Sequence, residues 1–242
     1  MKSFQKNLTV NTKFKYYNFL CMIYVAALLA SDTVVYKLFT FHDLTVSVGT
    51  LLFPITYLFG DVVAEVYGYQ LSRQLIWYAL FCELFFCCLV KFGISLPGPL
   101  DWHNQNSYKI VLGLMFNVSL AHIISEPIGA LVNAYAITKW KILTRGRFFW
   151  LRSLGATALG EMIFSIIAPL VVFAAVLPFS QIMHIMVSTY FVKLIFTVIS
   201  TVPGMILVGV LKKSENLDVY DYKTDFNPFK LDVKWGSNAE AI

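Results

Sequence analysis

The stretch FPITYLFGDVVAEVYGYQLSRQLIW, residues 53–77, is the most informative part of the chain. It places two carboxylates, Asp61 and Glu65, within and at the end of an apolar run that is long enough to cross a membrane. An aspartate near the bilayer centre costs about 2.5–3.5 kcal/mol on insertion scales, so such a residue usually marks a functional site. The i, i+4 spacing puts both carboxylates on one helix face, with Tyr57 one turn earlier. We therefore expect this face to point into the interior of a helix bundle.

The composition excludes an ordinary soluble protein. Hydrophobic residues make up 58% of the chain, charged residues 14%, and the mean hydropathy is +0.67. Soluble domains are typically about 45–50% apolar and about 25% charged. The apolar runs extend for about 20 residues without alternating polarity, which favours membrane helices over a membrane β-barrel. The sequence therefore predicts an all-α polytopic membrane protein.

Polar, glycine and proline signals divide the chain into a bundle of six predicted transmembrane helices, near 18–38, 45–67, 74–95, 108–136, 152–177 and 184–210. The predicted parts are an N-terminal tail over 1–17, a transmembrane domain over 18–212 and a C-terminal tail over 213–242. Fifteen of the 19 lysines and arginines fall on one side of this arrangement, which predicts that both termini are cytoplasmic. The same asymmetry explains the net charge of +5, so we expect no nucleic-acid partner. The C-terminal tail is expected either to pack back on the cytoplasmic face or to be disordered.

Three motifs carry a family resemblance. The 53–77 stretch, FWLRS at 149–153, and DVYD with FNPF at 218–221 and 226–229 resemble the queuosine precursor transporter family, also called the vitamin uptake transporter (VUT) family. The resemblance covers roughly residues 18–230. It implies a six-span protein of the bacterial inner membrane that imports 7-deazaguanine precursors of the tRNA base queuosine, such as preQ0, preQ1 or queuine.

The polar residues within the predicted spans are the candidates for a binding pocket. A 7-deazaguanine is flat and carries N–H donors, which buried carboxylates accept well and against which an aromatic ring can stack. Lys193 needs a carboxylate partner, for which Glu161 and Asp61 are the candidates. Glu65 has an alternative structural role, in which it pairs with Arg73 or Arg152. Helix breaks at Pro54, Pro127, Pro169 and Pro203 are expected to line the cavity. The predicted substrate-binding residues are Tyr57, Asp61, Glu65, Glu126, Asn133, Glu161, Lys193 and, as pocket or interface, Asp32.

Several alternatives remain open from the sequence. The chain carries no P-loop, so transport is expected to be proton-coupled, facilitated, or driven by a separate energising subunit docked on the basic 139–152 loop. The expected partners are a small planar solute, the lipid bilayer, and either further copies of the chain or that subunit. The pair His122 and Glu126 is a weak metal pattern, and neither a metal nor a cofactor is expected. No serine or cysteine lies at a convincing spacing from a histidine, so no enzyme activity is expected. A different vitamin or nucleobase as cargo, or a structural or assembly role, are the rival functions.

Overall fold

The computed structural model describes residues 14–41, 44–99, 101–113, 115–175, 177–233 and 239–240. Eight helices account for most of them. They are α1 (Tyr17–Thr33), α2 (Val48–Leu52), α3 (Pro54–Tyr67), α4 (Tyr69–Ser95), α5 (Gln105–Leu112), α6 (Met115–Leu143), α7 (Phe149–Phe173) and α8 (Phe179–Glu215). Two short antiparallel pairs complete the fold, β1 (Leu38–Phe41) with β2 (Leu44–Ser47) and β3 (Asp218–Val219) with β4 (Ala239–Glu240).

Five helical stretches are long and apolar enough to cross a membrane: Val48–Tyr67, Tyr69–Ser95, Gln105–Leu143, Phe149–Phe173 and Phe179–Glu215. The candidate for a sixth span is α1, which is apolar and 17 residues long, at the lower limit for a membrane helix. The predicted class of all-α polytopic membrane protein is thereby confirmed. Large apolar side chains on the outside of the bundle agree with contact to lipid, among them Phe81, Phe85 and Phe92 on α4 and Val198, Val202 and Ile206 on α8.

Small residues allow the central helices to approach closely. α7 packs between α6 and α8, while α6 also packs against α3 and α4. A buried cluster made largely of alanines joins α3, α4, α6 and α7. At the contact of α6 with α7, a Cβ added to Gly129 would lie 2.7 Å from the carbonyl oxygen of Gly160, so no side chain fits between the two backbones. Close packing of this kind is a common way for membrane helices to associate.

The boundaries of the first span differ from the prediction. The sequence predicted a helix over 18–38, but α1 ends at Thr33 and residues from Leu38 onward form the β1–β2 hairpin. Residues 34–41 are mostly β-branched or aromatic, and these types favour strands. A short apolar run does not by itself distinguish a helix from a strand.

The expected helix breaks at three prolines are not present. Pro127, Pro169 and Pro203 lie inside the continuous helices α6, α7 and α8. Pro54 does mark a change of helix, since α2 ends just before it and Pro54 begins α3. Membrane helices tolerate internal proline because neighbouring helices and local adjustments compensate the lost backbone hydrogen bond.

The segment after α8 packs against one end of the bundle, which we call the tail face. Arg73 donates hydrogen bonds to the carbonyl oxygens of Asp225, Asn227 and Asp232 at 3.1, 2.5 and 3.4 Å. Trp77 donates to the carbonyl oxygen of Pro228 at 2.7 Å. This confirms the packed alternative for residues 217–233; the rest of the predicted C-terminal tail, apart from 239–240, and residues 1–13 of the N-terminal tail lie outside the described residues.

Asp221 anchors the start of this segment. Its carboxylate accepts hydrogen bonds from the Tyr69 backbone N–H at 3.0 Å and from the Thr224 hydroxyl at 2.6 Å. Burial raises the pKa of Asp221, and the two hydrogen bonds oppose that increase. The hydrogen bonds of Asp221 therefore hold the segment on the bundle in addition to those of Arg73.

Candidate functional site

All eight predicted site residues have buried side chains. They are Asp32, Tyr57, Asp61, Glu65, Glu126, Asn133, Glu161 and Lys193. The structure does not gather them into one pocket but distributes them over five local environments along the bundle interior.

Asp61, on α3, is surrounded by neutral hydrogen-bond donors from α6 and α7. Asn133 Nδ2 donates to Oδ1 at 2.6 Å, and Thr157 Oγ1 donates to Oδ2 at 2.9 Å. Ser153 donates to the same Oδ2. Three neutral donors can hold a carboxylate at membrane depth without a fixed cation. A ligand with N–H donors could therefore take the place of these donors at the Asp61 carboxylate.

Glu161 and Lys193 form a buried ion pair between α7 and α8, with Lys193 Nζ 2.9 Å from Glu161 Oε2. The expectation that Lys193 pairs with a carboxylate is confirmed, and Glu161 is the partner. The ammonium group also lies 3.9 Å from the ring centroid of Phe53 and 3.8 Å from that of Phe164. A cation placed over aromatic faces in this way gains a cation–π attraction.

Glu126 and Tyr57 border a narrow gap between α1, α3, α4 and α6. The gap has a volume of about 10 Å³, and Tyr24 and Asn133 also line it. Tyr24 donates its hydroxyl to Glu126 Oε1 at 3.2 Å. The hydroxyl of Tyr57 and the second oxygen of Glu126 are buried and have no hydrogen-bond partner among the described residues. The gap is therefore lined by polar atoms that could bind a solute, but its volume is too small to hold one in this conformation.

A larger cavity of about 280 Å³ opens at the end of the bundle opposite the tail face. Its walls come from α1, the β1–β2 hairpin, α2, α6, α7 and α8. This volume is close to the lower end of the range of about 300–1,000 Å³ for small-molecule sites. The polar and aromatic side chains among its lining residues include Ser31, Phe53, His122, Phe164, Ser165 and Lys193.

Asp32 lies beside His122 and Glu83, neither of which is among the predicted site residues. His122 Nδ1 is 2.9 Å from Asp32 Oδ1 and 3.6 Å from Glu83 Oε1. His122 therefore faces Asp32 rather than forming the weak metal pattern with Glu126. Glu83 is not among the predicted site residues, because its neighbours in the triad lie on other helices; the cation two turns away on its own helix is Lys91. In the structure Lys91 points to the ring of Phe116 instead.

Glu65 belongs to a cluster of charges at the tail face. Arg152 holds its carboxylate with two hydrogen bonds, at 2.7 and 3.1 Å, and Lys212 Nζ lies 2.7 Å from Oε1. Lys141 connects this cluster to the C-terminal segment through Asp218 Oδ1 at 2.5 Å. These contacts agree with the structural alternative for Glu65, in which it pairs with Arg152.

Arg73, the other candidate partner of Glu65, instead donates hydrogen bonds to the backbone of the C-terminal segment. The tail-face cluster, formed by Glu65, Lys141, Arg152, Lys212 and Asp218, thus closes one end of the bundle with ion pairs. The opposite end holds the open cavity.

Comparison with known proteins agrees with this architecture. Residues 47–208 match the family described as "Putative vitamin uptake transporter", which is two thirds of the chain. The chain is 25% identical over 176 residues to a protein of Bacillus subtilis (strain 168) named "Probable queuosine precursor transporter", covering 72% of this chain and 76% of that relative. No solved structure gives a significant match. With its membrane-spanning helices and this match over most of its length, the chain belongs to the vitamin uptake transporter family and is a multi-pass protein of the bacterial inner membrane.

Proposed function

We propose that this transporter imports a queuosine precursor, a 7-deazaguanine such as preQ0, preQ1 or queuine, for salvage into tRNA. The name of the Bacillus subtilis relative supports this class of cargo. The observation that carries the proposal is the Glu161–Lys193 ion pair, which lies against the rings of Phe53 and Phe164 at the cavity. An aromatic surface beside a carboxylate suits a flat solute that carries N–H donors.

In this proposal the base exchanges places with Lys193. The two rings have centroids 4.6 Å apart and are covered by the ammonium group, so a stacking base would displace it. Glu161 would then accept the N–H donors of the base in place of its ion pair. For Glu161, one charge-assisted contact replaces another, so its carboxylate is not left without a partner.

Asp61, Asn133 and Glu126 form the next part of the proposed path. They lie beneath the cavity, around the 10 Å³ gap and the adjoining contact of α3 with α6 and α7. Asp61 can trade its neutral donors for those of the solute, and Asn133 can offer its unpaired amide oxygen. Tyr57 contributes an unpaired hydroxyl and an aromatic face at the same level.

Release would take place at the tail face. Lys193 and Lys212 are 19 residues apart on α8, which corresponds to about 28 Å along the helix. The ion pairs of Glu65 with Arg152 and Lys212 therefore close the bundle nearly one membrane thickness from the cavity. Alternating access requires this cluster to open when the cavity closes, so we assign Glu65 to the closure and Asp61 and Glu161 to the solute.

A second candidate function is uptake of another vitamin or nucleobase, either by this chain alone or as the binding subunit of a larger assembly. The family's description as a vitamin uptake transporter supports the broader cargo. Arg145 and Arg147, exposed in the turn between α6 and α7, offer a basic surface for an energising subunit, whereas Lys141 and Arg152 of the predicted 139–152 loop are buried in the tail-face cluster.

Uptake of labelled preQ0, preQ1 and queuine by cells that lack queuosine synthesis tests the proposal. We expect one of these bases to accumulate with the wild-type chain. Asp61→Asn and Glu161→Gln should reduce the initial rate about 10- to 100-fold, because a hydrogen bond to a charged group is worth about 1.5–3 kcal/mol. Asp225→Asn makes the same chemical change on an exposed carboxylate and should leave uptake unchanged. Full uptake by both buried variants, at equal abundance in the membrane, would refute the proposed site.

A further inference from the structure

We propose that Asp32, Glu83 and His122 bind one divalent metal ion of the zinc type, which joins α1, α4 and α6 inside the membrane. This site adjoins the proposed path of the solute, since His122 lines the same cavity, but it does not depend on what the protein transports. The three side chains come from three different helices and are exposed by only 1%, 0% and 8%. The ligand-type atoms of the three residues all lie within 4.8 Å of one another.

The polar atoms of this triad are not satisfied by the rest of the protein. Both oxygens of Asp32, both oxygens of Glu83 and Nδ1 of His122 are fully buried and have no well-formed hydrogen bond among the described residues. Buried polar groups in native proteins are almost always hydrogen-bonded or bound to an ion, so five such atoms in one place indicate a ligand. The oxygens of Glu83 face Asp32 and Ser119 without a well-formed hydrogen bond, which separates this triad from an ordinary acidic cluster.

The local charge also favours a cation. The buried lysine of α8, Lys193, pairs with Glu161, and the basic residues paired with Glu65 lie at the tail face. Around the triad lie the rings of Phe53 and Phe164 next to His122, and Ser119 with Cys87, whose Oγ and Sγ are 2.7 Å apart. A third carboxylate, Glu126, lies close enough to interact electrostatically with Glu83 and His122. Two carboxylates, a neutral imidazole and a divalent ion sum to zero charge, which is the least costly state in an apolar interior.

The distances within the triad are compatible with a bound metal ion as well as with a hydrogen bond from His122 to Asp32. One nitrogen, His122 Nδ1, faces Asp32 Oδ1 at 2.9 Å and Glu83 Oε1 at 3.6 Å. A single N–H cannot donate well to two carboxylates at once. Zinc bonds of about 2.0–2.1 Å in a tetrahedron place neighbouring ligand atoms about 3.3 Å apart, which lies between the two observed distances.

The donor set defines the class of ion. Na⁺, Ca²⁺ and Mg²⁺ prefer oxygen ligands alone, whereas imidazole together with carboxylates suits Zn²⁺ and its neighbours among the transition metals. Three protein ligands leave one tetrahedral position for water or another small ligand. His122 also lines the 280 Å³ cavity, so ions and water can reach the triad from that end of the bundle.

Metal analysis of the protein purified in detergent without chelators tests this assignment. We expect about one zinc-type ion per chain in the wild type, and at least about a tenfold loss of metal affinity in Asp32→Asn, Glu83→Gln and His122→Gln, since even the loss of a group that only orients a ligand costs 10- to 100-fold. Glu126→Gln is the matched control, because it neutralises a buried carboxylate one turn from His122 on the same helix. It should keep its metal.

Measurements on the wild type keep the test decisive if a variant fails to fold. Removal of the ion with EDTA should lower the thermal unfolding temperature, and added Zn²⁺ should restore it. Loading with Co²⁺ should give the visible absorption of a tetrahedral site with nitrogen and oxygen ligands.

The proposal would be overturned if the purified protein contained no metal and its unfolding temperature did not respond to Zn²⁺; the carboxylates would then be neutralised by protons. Stoichiometric metal in all three ligand variants would overturn it as well, because the ion would then be held elsewhere. Metal content is measured without any solute, so these outcomes are independent of the uptake assay.

Discussion

Asp61 and Glu65 lie one helical turn apart on the same face of α3, yet their neighbours differ completely. Asp61 is held by the neutral donors Asn133, Ser153 and Thr157, and Glu65 by the cations Arg152 and Lys212. The i, i+4 spacing predicted that both face the interior, which is confirmed by their burial. Spacing along one helix gives a direction, but the charge of the partners depends on the other helices.

The same distinction explains which other site residues the sequence could identify. Lys193 is a lone cation in an apolar span, and a cation there requires a carboxylate, so a buried ion pair could be predicted, with Glu161 as one of two candidate partners. Glu83 has its neighbours on α1 and α6, at Asp32 and His122. No pattern within α4 encodes those contacts, which is why the triad emerged only from the packed structure.

Gly129 and Gly160 provide a stability prediction at the residue scale. A Cβ on either residue would lie 2.7 Å from the carbonyl oxygen of the other, which is closer than real contacts allow. Gly129→Ala or Gly160→Ala should therefore force α6 and α7 apart and destabilise the protein by about 1–3 kcal/mol. Thermal unfolding in detergent measures this, with a decrease of about 2–4 °C expected for each kcal/mol in a chain of this size.

Gly93→Ala and Gly209→Ala are the controls for this prediction. Both glycines are in helices, and a Cβ at either position would meet no atom within 4 Å. Alanine has a higher helix propensity than glycine, so these variants should be unchanged or slightly more stable. If all four variants unfold at the same temperature, the close approach of α6 and α7 is not a source of stability.

At the scale of whole elements, hydropathy identified the membrane helices and failed at their ends. The span predicted over 108–136 is divided between α5 and α6, and α6 continues to Leu143, into the segment predicted as a basic loop. The span predicted over 18–38 stops at Thr33, because the apolar residues beyond it form a hairpin. Hydropathy measures how apolar a segment is, whereas the end of a helix depends on local backbone preferences and on the contacts made by the next segment.

The C-terminal segment is the element whose attachment can be tested directly. Arg73 contacts three of its carbonyl oxygens with a planar, forked guanidinium group, which a lysine cannot imitate. Arg73→Lys should therefore release the segment, and we expect chymotrypsin to cleave it about tenfold faster or more, given about 1.5–3 kcal/mol for a hydrogen bond to a charged group. Cleavage after Phe226 and Phe229 can be followed by mass spectrometry.

Lys230→Ala is the matched control for Arg73→Lys. It removes a cation of the C-terminal segment itself, one that is exposed and pairs with the exposed carboxylate of Asp225 at 3.0 Å. Surface pairs of this kind contribute little to stability, so cleavage should occur at the wild-type rate. Equal rates for all three proteins would mean that other contacts, such as those of Asp221 with Tyr69, are sufficient to hold the segment.

At the scale of the whole molecule, the two ends of the bundle differ in chemistry. The cavity opens at the end formed by the hairpin and the start of α8, and the ion pairs of Glu65 and the C-terminal segment close the other end. The basic residues Lys141, Arg152 and Lys212 all take part in the closed end. The Lys/Arg asymmetry that predicts cytoplasmic termini therefore also supplies the cations of the tail-face cluster.

This asymmetry predicts the orientation of the protein in the membrane, with the tail face in the cytoplasm and the cavity open to the outside. Single cysteines in a background that lacks the native Cys21, Cys82, Cys87 and Cys88 can test it. Asn104→Cys lies on the exposed loop before α5, and Lys213→Cys lies at the exposed end of α8. A membrane-impermeant maleimide should label Asn104→Cys in intact cells and Lys213→Cys only after permeabilisation, which also serves as the control for reactivity. The reverse pattern would place the cavity in the cytoplasm, and the ion pairs around Glu65 would then close the outer rather than the inner end of the transport path.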